Sequence, residues 1–227
     1  MSSNFLNRII TSIILSFILF ACIFLSKLLW IYLLILVSFI SFYEITNLSS
    51  KIFKKQKTKK LIFNLFSILY LFIFIYVGYI LSNSSSLNLL FILLICIFSD
   101  TGGYLVGKFI GGKKLTKISP NKTVSGSIGS FIFSIIPIFI FLEFIKTDID
   151  FIFQIENINE NLFPLILFCL FLSFICQLGD LFISYLKRLA KIKNTGSILP
   201  GHGGLLDRID GLIFVLPTAF IMDKLII

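Results

Sequence analysis

The chain has 227 residues, 57% of them hydrophobic, and a formal net charge of +9, with a mean hydropathy of +1.03. This excludes an ordinary soluble domain and a disordered chain, and it describes a polytopic membrane protein. In a soluble protein the charge would suggest nucleic acid. Here the basic residues lie between apolar runs with no aromatic–basic surface motif, so membrane topology and anionic lipid or phosphate partners account for it, with no nucleic acid.

Seven apolar runs, about 8–26, 28–46, 61–81, 88–107, 125–145, 162–186 and 208–227, are expected to cross the roughly 30 Å of hydrocarbon that takes about 20 helical residues. The first follows a single basic residue, Arg8, and lacks a small-x-small cleavage site before Lys27, so it reads as a retained span rather than a signal peptide. It joins the second so tightly at Ser26 and Lys27 that the two form a hairpin. "KIFKKQKTKK" (51–60) is the densest basic run and reads as a topology signal resting on anionic headgroups. With the N-terminus cytoplasmic, all of the 20 Lys and Arg except Lys27, Lys146 and Lys224 fall on the cytoplasmic side. The long outer loop then carries Glu143, Asp148, Asp150, Glu156 and Glu160. Cys22, Cys96, Cys169 and Cys176 all sit within apolar runs and read as small core hydrophobes, indicating neither disulfides nor zinc. The fold class is therefore all-α: a single membrane-embedded helical bundle over 1–227, with 1–81 free of motifs and 88–227 carrying the chemistry.

Three polar stretches interrupt the apolar pattern on the cytoplasmic face. The first is "SDTGGYLVGKFIGGKKLTKISPNKTVSGSIG" (99–129). Asp100 lies within a span, where a carboxylate is costly unless it meets a cavity, a partner or a metal. Gly103 and Gly107, one turn apart, also suit close helix packing. The loop places Ser119, Lys122 and Thr123 just before a helix expected to start near Ser125. Free backbone N–H groups there, beside Lys122, would suit a phosphate. The second stretch is "QLGDLFISYLKR" (177–188). Asp180, Ser184 and Lys187 are spaced i, i+4, i+7 and share one helix face. An ion or a substrate phosphate between Asp180 and Lys187 would explain both, while a snorkelling Lys187 is the plainer alternative.

The third stretch is "LPGHGGLLDRIDG" (199–211), where Pro200, Gly201, Gly203 and Gly204 demand a tight loop. Asp207 and Asp210 follow one turn apart at the start of the last span. One of them could serve as a simple partner of the helix dipole. With Asp180, they offer hard oxygen ligands to Mg²⁺, with room for a second cation. Arg208 and Lys187 would flank a phosphate. His202 suits either a base or a hydrogen bond that shapes the loop. Carboxylates for a divalent metal, cations for phosphates and glycines for close approach form the equipment of phosphoryl-type transfer at a membrane surface.

"SYLKRLAKIKNTGSILPGHGGLLDRID" (184–210) closely resembles the signature of the phosphatidate cytidylyltransferase (CDP-diacylglycerol synthase) family. The matching residues are Ser184, Lys187, Arg188, Lys193, Pro200, His202, Gly203, Gly204, Asp207, Arg208 and Asp210. "SDTGGYLVGK", "SPNKTVSGSIG" and "GDL" (179–181) resemble the family's earlier stretches. Together these cover 99–129 and 177–211, about a third of the chain. The departures are Asn194 where the family has Asp, Gly211 for Ser and Gly103 for Ala, and the chain is short for the family by an N-terminal span or two. The resemblance implies that CTP and phosphatidic acid give CDP-diacylglycerol and pyrophosphate with Mg²⁺, at the cytoplasmic side of a bacterial inner membrane. It assigns Asp180, Asp207 and Asp210 to metal. Lys187, Ser184, Arg208 and Lys122 go to the phosphates, and Ser119, Thr123, Arg188, His202, Gly203 and Gly204 to substrate binding. Asp100 is a weaker candidate. A homodimer stays open. So do a polyprenol or phytol kinase and an archaeol-type cytidylyltransferase, which also use CTP. A transporter fits poorly, because the polar residues cluster on one face and no repeat is visible.

Overall fold

The computed structural model describes residues 3–145, 158–199 and 203–226. Seven apolar helical segments fall where seven spans are expected. α1 (Ser3–Leu25) and α2 (Lys27–Ile52) are separated by Ser26 alone, whose hydroxyl caps α2 by accepting from Leu28 N–H at 3.2 Å. The turn after α2 holds Lys54, Lys55 and Gln56 in the open, and α3 (Lys57–Ser84) follows. Ser85 caps α4 (Ser86–Ile110). Next come α5 (Val124–Phe133) and α6 (Ile136–Ile140), broken where Pro137 enters, then one π turn at Phe141–Ile145. α7 (Ile158–Leu189), α8 (Leu206–Ile209) and α9 (Leu212–Ile226) complete the chain.

Among the described residues, five stretches are long and apolar enough to cross a membrane: Lys27–Ile52, Lys57–Ser84, Ser86–Ile110, Val124–Glu143 and Leu162–Leu189. The protein is an integral membrane protein. The last expected span is interrupted. α8 ends at Ile209, Asp210 and Gly211 intervene, and α9 has 15 residues, about 22 Å of helix at 1.5 Å per residue. Gly211 sits there because Cys176 leaves no space: a Cβ would stand 3.1 Å from the Cys176 carbonyl oxygen and closer still to its sulfur. Asp207 and Asp210 thus belong to a short separate helix and its C-terminal cap, not to one face of a long final helix. Of the expected outer-loop charges, Glu143 is exposed; Asp148, Asp150 and Glu156 lie outside the described residues.

Contacts group the chain into two compact units: Met1–Asn83 with Ile183–Asp210, and Ser84–Phe182 with Gly211–Ile227. In the first, the Trp30 indole N–H donates to the Gly78 carbonyl at 2.9 Å, and Leu34 fills the space that a side chain at Gly78 would need. In the second, α4 and α5 approach to backbone contact. A Cβ on Gly129 would lie 2.5 Å from Val106 Cβ and 2.8 Å from the Gly102 carbonyl oxygen; one on Gly126 would lie 2.8 Å from the Gly103 carbonyl oxygen. Small residues facing one another are what let two apolar helices associate without water to drive them. The spacing of Gly103 and Gly107 carries this packing, and the same helices shape a cavity.

Candidate active site

Two polar clusters stand out, one in each unit. In the second unit, Gly111 and Gly112 adopt φ of 65° and 104°, a left-handed turn that few other residues accept. The chain after them doubles back on itself. Leu115 N–H donates to the Lys122 carbonyl at 2.8 Å and Val124 N–H to the Lys113 carbonyl at 3.0 Å. This hairpin-like loop delivers Lys122 to Asp180 on α7, and the two form an ion pair. Both line a cavity of about 590 Å³ together with Asp100, Tyr104, Thr123 and Gln177, a volume typical of small-molecule sites. In its wall, Ser127 donates to Gln177 Oε1 at 2.5 Å, and the Cys176 thiol points to Asp100 Oδ1 at 3.7 Å. Lys108 reaches the Tyr104 hydroxyl at 3.4 Å.

The helix start at Val124 differs from the expected phosphate nest. The Thr123 hydroxyl caps α5 by accepting from Gly126 N–H at 3.1 Å, and Val124 and Ser127 N–H donate to the Lys113 and Thr123 carbonyls. Those amides are already engaged within the chain, and Lys122 is the cation beside that helix start. Thr123 lines the cavity; Ser119 sits in the loop, outside the lining.

The first unit holds the end of α7 and the loop that follows it. Lys191 takes φ 55°, which ends the helix and turns the chain back. Leu199 and Gly203 exchange two backbone hydrogen bonds, 3.0 and 3.2 Å, and Gly203 needs its φ of 87° to close that bridge. The loop returns to place Asp207 against Lys187: Nζ donates to Oδ1 at 2.7 Å. Asp207 Oδ2 accepts from Thr195 N–H at 2.9 Å, the Thr195 hydroxyl at 3.1 Å and Gly204 N–H at 3.2 Å. Ser184 is buried on α7, while Arg188 and Arg208 are exposed. Asp210 caps the short helix. His202 lies outside the described residues.

Sequence reasoning sets an ion or a substrate phosphate between Asp180 and Lys187. In the structure Lys187 pairs with Asp207, and Asp180 pairs with Lys122. Glu44 was missed. It is only 1% exposed, in the C-terminal half of α2, and its carboxylate accepts from Leu205 N–H, Leu206 N–H and the Thr195 hydroxyl, at 2.9, 2.9 and 2.7 Å. One signal in the sequence pointed to it: it is a lone carboxylate inside an apolar span, a position that is expensive without a purpose.

The donors suit Mg²⁺ in part. Mg²⁺ takes hard oxygens, usually one or two carboxylates completed by water and substrate phosphates. Asp180 and Asp100 both present carboxylates to the cavity beside the Gln177 amide, which matches that preference. Asp207 has both oxygens engaged. Among the described residues, no three His, Cys, Asp or Glu side chains gather into a ready-made metal cluster.

Apolar helices that hold a half-buried acid–base pair, a second ion pair and a cavity of small-molecule size define an integral membrane protein. The family model described as "Cytidylyltransferase family" matches residues 51–226, and the chain belongs to that family. Proteins named phosphatidate cytidylyltransferase are similar to it. The one from Staphylococcus haemolyticus is 42% identical over 135 residues, 59% of this chain and 48% of the relative. That of Bacillus subtilis is 40% identical over 144 residues, 62% and 49% of the two chains. That of Staphylococcus aureus strain COL is 43% identical over 135 residues, 59% and 48%. The chain spans about half the length of the curated relatives it matches.

Proposed function

We propose that the protein transfers the cytidylyl group of CTP to phosphatidic acid, giving CDP-diacylglycerol and pyrophosphate, at the cytoplasmic face of a bacterial inner membrane. The observation that carries this reading is the Lys187–Asp207 pair, held by the very stretch, 184–210, whose spacing resembles the signature. The family match and the names of the relatives support it.

A phosphate oxygen of phosphatidic acid attacks the α-phosphorus of CTP. The new O–P bond forms as the bond to the β-phosphate oxygen breaks, and pyrophosphate leaves with that electron pair. The attacking phosphate is already anionic at neutral pH, so no strong general base is required. Bringing two anions together is the chief barrier, and fixed positive charge lowers it. Lys122 and Lys187 supply that charge, each held in place by a carboxylate; Arg188 and Arg208 add exposed charge for the polyphosphate. Ser184 offers a hydroxyl to a phosphate oxygen. His202, Gly203, Gly204, Ser119 and Thr123 complete the contacts to the substrates. Mg²⁺ held by the Asp180 and Asp100 carboxylates at the cavity would neutralise the phosphates and the departing pyrophosphate. Asn194 retains a carbonyl oxygen where the family carries a charge, and the reaction is expected to tolerate it.

The test is turnover by the purified full chain in detergent with CTP, phosphatidic acid and Mg²⁺, using ATP and GTP as controls and EDTA as a blank. CDP-lipid that depends on CTP and on the metal is the expected result. No product from folded protein would refute the proposal.

A further inference from the structure

We propose that Glu44 is a positioning residue: it holds Thr195 and the Leu205–Leu206 backbone so that Asp207 meets Lys187. This inference rests on the reaction proposed above and adds to it a residue from α2, outside the signature. Both Glu44 oxygens are engaged. Oε1 accepts from Leu205 N–H at 2.9 Å; Oε2 accepts from Leu206 N–H at 2.9 Å and from the Thr195 hydroxyl at 2.7 Å. The same hydroxyl lies 3.1 Å from Asp207 Oδ2, whose other partners include the Thr195 amide at 2.9 Å. A hydroxyl has one proton, so Thr195 shares it between two carboxylates and ties their positions together. The connection therefore runs Glu44, Thr195, Asp207, Lys187.

The loop is built around this carboxylate. A Cβ on Gly196 would stand 2.5 Å from Glu44 Oε1, and one on Gly204 would stand 2.5 Å from Oε2. Any side chain at either glycine would push the loop off Glu44. Thr195 is 5% exposed and Glu44 1%, and a carboxylate so placed is tolerated only when its acceptors are satisfied. Simple anchoring would require only one or two of these contacts. What singles out Glu44 is that its hydrogen bonds end on the residue that also orients Asp207.

The full chain in lipid nanodiscs tests this with Glu44→Gln, Glu44→Ala, Thr195→Val and Thr195→Ser. A glutamine keeps the shape, yet either flip of its amide sets an N–H₂ against the Leu205 or the Leu206 N–H. Two readouts are taken: kcat and KM per folded molecule, and hydrogen exchange at Leu205 and Leu206. We expect kcat to fall at least tenfold in Glu44→Gln and Thr195→Val with KM for CTP within about threefold. Exchange at Leu205 and Leu206 should quicken at least tenfold in Glu44→Gln, and Thr195→Ser should return kcat to within about threefold of wild type. If Glu44→Ala does not fold, Glu44→Gln decides. Wild-type kcat per folded molecule in Glu44→Gln, with or without faster exchange, would overturn the proposal, since it would leave Glu44 with a structural role alone. A wild-type chain that makes no CDP-lipid would defeat the reaction proposed above. The exchange arm would still read whether Glu44 holds the loop, and unchanged exchange would overturn the inference there too.

Discussion

Breaking the Lys187–Asp207 pair from one side should cost far more than removing it whole. The side chains are 15% and 8% exposed, so each charge depends on the other for most of its compensation. Deleting one member of a buried pair costs about 3–5 kcal/mol, because the survivor is left uncompensated. In Asp207→Asn the amide N–H₂ must face either the Lys187 ammonium or the Thr195 and Gly204 N–H groups, so a donor meets a donor in both orientations. Lys187→Met leaves the Asp207 carboxylate with its three N–H and O–H donors and no cation. The double variant has neither problem, and a coupling of about 2 kcal/mol is expected between the two sites. A chain of this size shifts its midpoint by roughly 2–4 °C per kcal/mol, so Asp207→Asn should unfold about 6–20 °C below wild type and the double variant well above the sum of the singles. The single tryptophan, Trp30, is buried in the same unit and reports this transition by fluorescence in detergent. Turnover by Asp207→Asn should fall at least a hundredfold. Additive single effects, or a wild-type midpoint for Asp207→Asn, would refute this account of the pair.

Lys122→Met should behave differently. That pair is 27% and 29% exposed, so stability should change by under about 1 kcal/mol, while KM for CTP rises at least tenfold; a large melting shift with unchanged KM would be the contrary result. Gly129→Ala should separate α4 from α5, because the new methyl would meet Val106 and the Gly102 carbonyl. An overpacking cost of about 1–3 kcal/mol should appear as a lower midpoint and a smaller folded yield on size exclusion, and a wild-type profile would count against backbone contact between these helices.

Much of the fold was legible because membrane spans announce themselves through composition and length. Gly103 and Gly107 also announced close packing, while their counterparts Gly126 and Gly129 on α5 were not read that way. The last span was misread because hydropathy does not register a local obstruction. Gly211 and Asp210 break the helix where Cys176 crowds the backbone, and the apolar pattern runs straight through. The polar stretches were legible in the sequence, but the pairing of their residues was not. A spacing of i and i+7 places Asp180 and Lys187 on one face, yet Lys122 comes from the loop after Gly111 and Gly112, and Asp207 from α8, delivered by the turns at Lys191 and Gly203. The phosphate nest at Val124 was misjudged for a similar reason, since the Thr123 cap and the returning strand of the loop use those amides first. Glu44 lay 151 residues from Thr195 in sequence, and no local pattern connects positions so distant.

The position of the phosphate label after turnover tests the central claim most directly. With phosphatidic acid as acceptor, CTP labelled at the α-phosphate should leave its label in the lipid product, and CTP labelled at the γ-phosphate should release it as pyrophosphate. Label from the γ-phosphate in the lipid, or a lipid product without cytidine, would contradict cytidylyl transfer and point to phosphoryl transfer instead.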